Sequence, residues 1–599
     1  MADAGSKPAT STTCRNGSDR SRPQQASIRA ACSVSSNPSH VVHDGPDRSS
    51  AGHNFVTSGT HSSQDLVDQV CESLRSHGTR DCHTFRKRIF RKHEALAREL
   101  STGYLDTVKE KSYVDANRNL MRISDRLQIH DLNLSAGEEE IKRFCKRRAS
   151  DCIDFANRHN YSEESYSLVC ELALHYGLKP PEPKDYQADL YPCIKRMTSA
   201  RWWRKKVYCK QRQTIESVAR DMGLVCQQRN TYSSQYSQEV RSKQKAKNAE
   251  YLANTFIEND EGQQYCLKDL HDRSVSNPFI RRAELMTRIK GFEMVADQLD
   301  HCGEFYTLTT PSRMHARLKK GGANPKYDGT TPDEAHQYLT NLFCCIRSKL
   351  HRDGLKTYGL RVVEPNHDGT PHWHLLLFMA PDAVGDVRNI FRNYALQTDG
   401  DEKGAALHRF KAEAIDKKKG TAAGYVAKYI SKNIDGNHID TDLHGNKATE
   451  SARAIDAWAS TYNIRQFQFI GGPSVTVWRE LRRLAESEQA QTITPKDSPA
   501  LFDAMLAADA AEWAAYVMLM GGPNMRASDR PIRPLYEEIE PVDMETGEIN
   551  PDALTEYGDP KSPKIIGLVC DAAKTITRWR TWTLIPSIAA SAHSAPAPA

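Results

Sequence analysis

The chain is 599 residues long, 39% hydrophobic and 26% charged, which leaves enough apolar surface for buried cores and room for about two to four domains. Its formal net charge of +6 is too small to imply a polyanionic partner by itself, so only local clustering of charge is informative. The 15 cysteines lack paired CxxC spacing, no stretch of about 18 apolar residues occurs and no apolar leader opens the chain, so a reducing, cytoplasmic setting is expected, with no disulfide framework, membrane span or secretory signal.

Residues 1–62 are rich in Ser, Gly, Pro and Asn and are expected to form a disordered tail, because they cannot bury enough apolar surface to offset the entropy of ordering. From 65 to 290 the pattern is helical. The segment Ser162–Tyr176, for example, sets Tyr166, Leu168, Leu172 and Ala173 near one face. Within this part, residues 193–250 hold 14 Lys/Arg against 4 Asp/Glu, and Trp202-Trp203 are embedded among Arg201, Arg204, Lys205 and Lys206. The tryptophans read as core anchors. The four basic residues are candidates for contact with a DNA backbone, and the domain as a whole for DNA or partner binding.

Between 295 and 480 the pattern becomes mixed α/β. Phe305–Thr309 is a β-rich run ended by Pro311, and a helix follows with Ala335, Leu339, Leu342, Phe343, Ile346 and Leu350 on one stripe. Cys344 and Cys345 fall inside that pattern and read as buried thiols. Strand-like runs Leu360–Pro365 and His372–Met379 flank a turn containing Asp368-Gly369; a helix over Thr421–Lys432 and a strand over Arg465–Ile470 complete the region. The expected class is α+β: an antiparallel sheet with flanking helices and one sheet face open, preceded by the helical domain, with disordered termini. Residues 485–599 read as a helical segment, an acidic linker over Tyr536–Pro560 and a disordered end.

Chemistry concentrates in Glu364–His374. Residues two apart on a strand share a face, so His372 and His374 project side by side and can share a divalent cation. Pairing the two runs as a hairpin with Glu364 opposite His372 adds a carboxylate to the same face. One oxygen ligand and two imidazoles suit Mg2+ or Mn2+ and leave positions open for water and a phosphate oxygen. A mononuclear hydrolase using metal-bound water would also fit these three residues. An HxH pair satisfied by ordinary hydrogen bonds is the plain alternative.

The segment Gly424–Asn433 adds a second element: Tyr425 and Tyr429 stack four apart on one helix face, with Lys428 beside them and Val426 and Ile430 forming a separate apolar row that can anchor the helix to the sheet. Twin tyrosines are commonly core and rim residues. Next to a cation site, a phenol can instead attack a phosphodiester, giving a phosphotyrosine and a free 3′-OH, with the lysine and metal offsetting charge on the phosphorus.

Phe305–Thr309, then Pro371-His372-Trp373-His374, then Tyr425-Val426-Ala427-Lys428-Tyr429, in that order, resemble the three motifs of two-tyrosine HUH endonucleases. More closely, residues 180–480 resemble the replication gene A protein family of tailed bacteriophages and prophages. Arg201-Trp202-Trp203, Ser274–Pro278 and Arg281–Met286 share in the likeness. The resemblance implies rolling-circle initiation in a bacterial cytoplasm: an origin is nicked on one strand, a host polymerase extends the 3′-OH, and the two tyrosines alternate as nucleophiles. It implies His372, His374 and Glu364 as metal ligands, Tyr425 and Tyr429 as nucleophiles, and Lys428 as the group assisting the phosphate. Relaxases of the same superfamily carry their tyrosines before the histidines. Here Tyr425 follows His374 by 51 residues, and His367, in the turn, reads as a surface or DNA-contacting residue.

No GxxxxGK[ST] loop occurs, so no nucleoside triphosphate is expected and strand separation would fall to a host helicase. A two-tyrosine transposase or mobilisation nuclease shares the motif order, and terminal repeats beside the gene would favour it. A DNA-binding regulator on a degenerate nuclease fold is the reading from another class; strand nicking by purified protein separates the two.

Overall fold

The computed structural model describes residues 63–585 apart from 184–188, 437–439, 443, 494–495, 497, 538, 541–549 and 572; the expected disordered ends and the middle of the acidic stretch lie outside the described residues. Helices Ser63–Ser73, Arg80–Lys92, Ala97–Glu110 and Tyr113–Leu127 surround one core, which includes Phe90, Leu100 and Ile123. Glu138–Arg158, Glu163–His175 and Tyr191–Met197 surround a second, with Phe144, Val169 and Ile194. Helix α1 (Ala200–Asp221) is the spine of both: Trp203 and Val207 enter the second core, Ile215 and Val218 the first. Trp202 and Trp203 are both buried.

After α1 the polar helix α2 (Gln235–Ala253) buries only Ser237, and β1 (Phe256–Asn259) and β2 (Gln264–Cys266) form a small hairpin. Helix α3 (Pro278–Gln298) begins where the Asn277 side chain accepts from Phe279 N–H, with Pro278 in the first turn where its missing donor costs nothing. Then come β3 (Cys302–Thr309), α4 (Pro332–Arg352), β4 (Tyr358–Pro365), β5 (Pro371–Met379), α5 (Val384–Ala395), β6 (Phe410–Ala414), α6 (Ala422–Ile434), α7 (Ala448–Tyr462) and β7 (Phe467–Ile470). The strands form one antiparallel sheet in the order β6-β3-β5-β4-β7.

Period-two alternation sorts the sheet's side chains. Phe305, Leu360, Val362, Leu376 and Phe378 face a core shared with Ile289 and Phe292 of α3 and with Val426 and Ile430 of α6. Tyr306, Leu308, Val363, Trp373, Leu375 and Leu377 face α4, α5 and α7. Both faces are therefore covered, against the expectation of one open face. The near-continuous hydrophobic run of β5 requires it, since each exposed Leu or Phe would forgo about 1.5–3 kcal/mol.

The stripe on α4 also corrects the reading of its cysteines. Ala335, Leu339, Leu342, Phe343, Ile346 and Leu350 fix which side meets the sheet, and Cys344 and Cys345 are exposed on the other. Neighbouring an apolar stripe in sequence is not lying on it.

The C-terminal region departs furthest from expectation. Helices α8 (Val475–Ala485), α9 (Pro499–Asp509) and α10 (Trp513–Leu519) pack into the core beneath the sheet. Helix α10 approaches α3 so closely that a Cβ at Gly291 would meet the Trp513 Cβ at 2.6 Å. Strands β8 (Ile532–Tyr536), β9 (Ile565–Cys570) and β10 (Ala573–Ile576) form a sheet whose Ile532, Leu568 and Cys570 join the same core. Strand β11 (Trp582–Ile585) pairs antiparallel with β1. The described parts of 485–585 thus build onto both halves of the chain. Short alternating strands in a charged, Pro-containing context hid this from the sequence pattern.

Candidate metal and tyrosine site

The β4–β5 hairpin sets the register Glu364↔His372 and Val362↔His374. Its turn is tightly held. Gly369 adopts φ +79°, and the buried Asp368 carboxylate accepts from Ala316 N–H (3.0 Å), Thr370 N–H (3.1 Å) and the Thr370 hydroxyl (3.0 Å). Arg220, fully buried at the end of α1, donates from Nε to the Asp368 carbonyl (2.8 Å) and from Nη2 to Thr370 Oγ1 (3.1 Å). The helical half therefore clamps the turn. His367 is not a surface residue: it is 9% exposed, and its carbonyl accepts from Tyr232 N–H (3.4 Å), because the 223–234 loop folds over the turn.

One ligand atom each from Glu364, His372 and His374 lies within 4.8 Å of the others. Thr307 Oγ1 is 3.1 Å from His374 Nδ1, which leaves Nε2 directed at the cluster, 3.7 Å from Glu364 Oε2. His372 Nδ1 is buried without a hydrogen-bond partner among the described residues, a state that a cation would relieve. Burial, with His374 next, holds the His372 imidazole well below its usual pKa. Burial, with Lys432 and Lys428, lowers His374 to about 3. Both rings are thus neutral with lone pairs to donate, as a divalent ion requires. The donor set fits Mg2+ or Mn2+, the imidazoles favouring Mn2+.

The carboxylate is fixed by groups the sequence reading did not single out. Lys432 Nζ lies 3.3 Å from Glu364 Oε2, Asn433 Nδ2 donates to Oε1, and Gln466 Nε2 donates to Asn433 Oδ1 (3.1 Å). Lys432 and Asn433 come from α6, one turn beyond the tyrosines, so helical periodicity could have found Lys432 as the i+3 neighbour of Tyr429. Thr307 was findable too, by extending face parity to β3, where it stands opposite His374. Arg220 and Tyr232 had no such signal, being more than a hundred positions away.

Helix α6 starts at Thr421, whose side chain accepts from Gly424 N–H (3.0 Å), and its Val426–Ile430 row seats it on the histidine-bearing face. The Tyr429 ring stacks against Phe305 (5.4 Å) and lies 4.4 Å from the His374 ring. Burial, with Glu364 and Glu413, pushes its phenol up to about 12. Lys428 Nζ stands 5.0 Å over that ring. Tyr425, half-buried, is one turn nearer the helix start, and its side chain makes no hydrogen bond among the described residues.

The structure brings Glu364, His372, His374, Tyr429 and Lys428 together, with Tyr425 adjacent. It does not bring Arg201, Arg204, Lys205 and Lys206 there. They occupy the first turns of α1, some 14–19 residues and so roughly 20–30 Å from Arg220. Arg201 pairs with Glu556 (3.4 Å), Lys206 sits 5.8 Å over Trp202, and Arg204 and Lys205 are exposed.

Sheet and site together define a cluster of two imidazoles and a carboxylate, able to hold a cation, on an antiparallel sheet and faced by a helix bearing two tyrosines. The profile of the bacteriophage replication gene A protein (GPA) family matches residues 134–437. The chain is 44% identical over 378 residues to the replication gene A protein of Escherichia phage 186, covering 61% of this chain and 54% of that protein. To the probable replication protein P12 of Pseudoalteromonas phage PM2 it is 34% identical over 496 residues, 82% and 74% of the two chains. To a probable replication endonuclease from a prophage-like region of Salmonella typhimurium (strain LT2) it is 36% identical over 356 residues, 58% and 44%. No solved structure matches. The chain belongs to the bacteriophage replication gene A protein family. It spans only about half the length of the phage 186 relative.

Proposed function

We propose that this protein is a two-tyrosine nuclease of the HUH type that nicks one DNA strand at a replication origin, keeps the new 5′ end as a phosphotyrosine and so initiates rolling-circle replication of a phage or prophage. The observation that carries the reading is the Tyr429 ring 4.4 Å from a histidine of the Glu364–His372–His374 cluster, on the same face of the sheet.

In this reading Glu364, His372 and His374 would hold a Mg2+ or Mn2+ ion, which when bound would supply Lewis-acid charge to offset that on the phosphorus. The phenolic oxygen of Tyr425 or Tyr429 bonds to phosphorus as the bond to the 3′ oxygen breaks. The phenol proton is balanced by the one gained by the leaving 3′-OH, and the 5′ phosphate stays on the tyrosine. Lys428, beside the Tyr429 ring, neutralises the phosphate as charge builds. Lys432 and Asn433 hold the Glu364 carboxylate in place, and Thr307 fixes the His374 ring, so both stay aligned through the reaction. The tyrosines, one helical turn apart, exchange roles: one keeps the displaced 5′ end while the other cuts the regenerated origin. The 3′-OH passes to a host polymerase, and a host helicase opens the duplex. The basic start of α1 contributes to DNA binding, and the whole operates in the bacterial cytoplasm.

The test uses purified protein, Mn2+ and single-stranded oligonucleotides from its own gene neighbourhood. The wild type forms a denaturant-resistant adduct that maps to Tyr425 or Tyr429. Tyr425→Phe and Tyr429→Phe each bind DNA but complete the cutting and joining cycle poorly, and the double variant forms no adduct. An adduct that persists in the double variant refutes the nucleophile assignment.

A further inference from the structure

A groove of about 1150 Å3 lies at the end of the sheet opposite Glu364. It follows the outer edge of β7, between the last turns of α4 and the loop around Asn524–Asp529. Strand β4 starts at this groove and ends at the histidine cluster. At about 3.3 Å per residue the two are roughly 20 Å apart.

The groove's charge is one-sided. Arg347, Arg352, Lys356 and Arg526 line it together with His351, and Asp529 is its one carboxylate. All four cations are exposed, and among the described residues none forms an ion pair. Other surface cations do meet carboxylates. Arg241 and Lys245 of α2 both close on Asp456, at 2.8 and 2.9 Å, and Arg201 on Glu556. Unanswered like charges around one concavity repel each other, and a row of phosphates relieves that repulsion.

The strand edge decides against an acidic peptide. Val363 N–H donates to the Gln466 carbonyl (2.8 Å), so antiparallel alternation turns Gln466, Gln468 and Ile470 toward β4 and Phe467 and Phe469 outward. The Phe467 carbonyl already accepts from Arg465 Nε (3.3 Å), and Asn524 N–H donates to the Gly471 carbonyl (2.6 Å). That leaves Phe469 alone with backbone groups facing the groove, too short an edge for strand addition. Guanidinium and ammonium groups lining one groove instead suit the phosphates of a sugar-phosphate backbone.

We infer that this groove holds the phosphodiester backbone of DNA, roughly 20 Å from the cleavage centre, as a contact separate from the basic start of α1. Its distance from a cut rests on the proposed nuclease reading; the binding itself does not.

The test compares the full chain with the variant Arg347→Gln/Arg352→Gln/Lys356→Gln/Arg526→Gln, with EDTA present so that cutting plays no part. Anisotropy of a labelled DNA of roughly 20 nucleotides, single-stranded and as duplex, is followed across salt concentrations. For at least one form the variant binds at least about tenfold more weakly near 0.15 M salt, and the slope of log affinity against log salt falls by about 3, from roughly 0.7–0.9 per lost phosphate contact. The exposed Cys344 thiol lines the groove and serves as a native reporter: bound DNA slows its alkylation by a neutral maleimide. Unchanged affinity and slope for both DNA forms overturn the inference. So does protection of Cys344 by a poly-glutamate peptide but not by DNA. Because binding is read without cleavage, loss of the tyrosine assignment would leave this result standing, and the converse holds.

Discussion

Lys432 and Glu364 form an ion pair at 3.3 Å with side-chain exposures of 8% and 1%. At an effective dielectric near 20 the attraction at that distance is about 5 kcal/mol, most of it offset by the desolvation of both charges. Removing one partner leaves the other buried and uncompensated, which costs about 3–5 kcal/mol. Lys432→Met should therefore lower the stability of the metal-free protein by that amount, and Glu364→Gln should do likewise. The double variant should be less destabilised than the sum by about 2–3 kcal/mol. Urea unfolding in EDTA of the four proteins in this cycle measures the coupling. Adding Mn2+ should then recover more stability in Lys432→Met than in the wild type, because the freed carboxylate gains a cation where it lost one. Additivity within about 0.5 kcal/mol would refute the idea that this pair organises the site.

Thr307→Val removes the hydroxyl at His374 Nδ1 and should weaken Mn2+ binding about 10–100-fold by titration calorimetry while leaving the fold intact; unchanged affinity would show that the ring is oriented by packing alone. Arg220→Met deletes the clamp on the hairpin turn and should cost about 3 kcal/mol in chemical denaturation, as hydrogen bonds to a charged group are worth about 1.5–3 kcal/mol each; a loss under about 1 kcal/mol would mean the turn holds itself. In EDTA, stability should decline as pH falls below about 6.5. The depressed His372 and His374, with His336 and His93 each lowered to about 4 by burial, stay neutral in the fold but take up protons when unfolded. Each contributes up to about 1.4 kcal/mol per pH unit, fully retained above 6.5. His374→Gln should make the decline shallower, and an identical pH profile would assign the acid sensitivity elsewhere.

The parts of the site that were legible came from short-range periodicities. Two-residue spacing placed His372 beside His374, four-residue spacing stacked Tyr425 on Tyr429, and the Asp368-Gly369 turn fixed the register that brings Glu364 opposite His372. The same logic failed where a pattern was read without its face, as with Cys344 and Cys345 beside the α4 stripe. It failed again where a residue's exposure depends on a distant loop, as with His367 beneath the segment carrying Tyr232.

What the amino-acid order determined by itself is the local chemistry: a hairpin with two imidazoles and a carboxylate on one face, and a helix with two phenols and an apolar row, since 2.0- and 3.6-residue repeats act over a few positions. Only the tertiary structure decided that the helix covers the histidine-bearing face, that Arg220 locks the turn, and that β11 returns to pair with β1. Those arrangements join residues from roughly fifty to more than three hundred positions apart, through buried area and paired charges summed over the whole fold, and no local repeat encodes such sums.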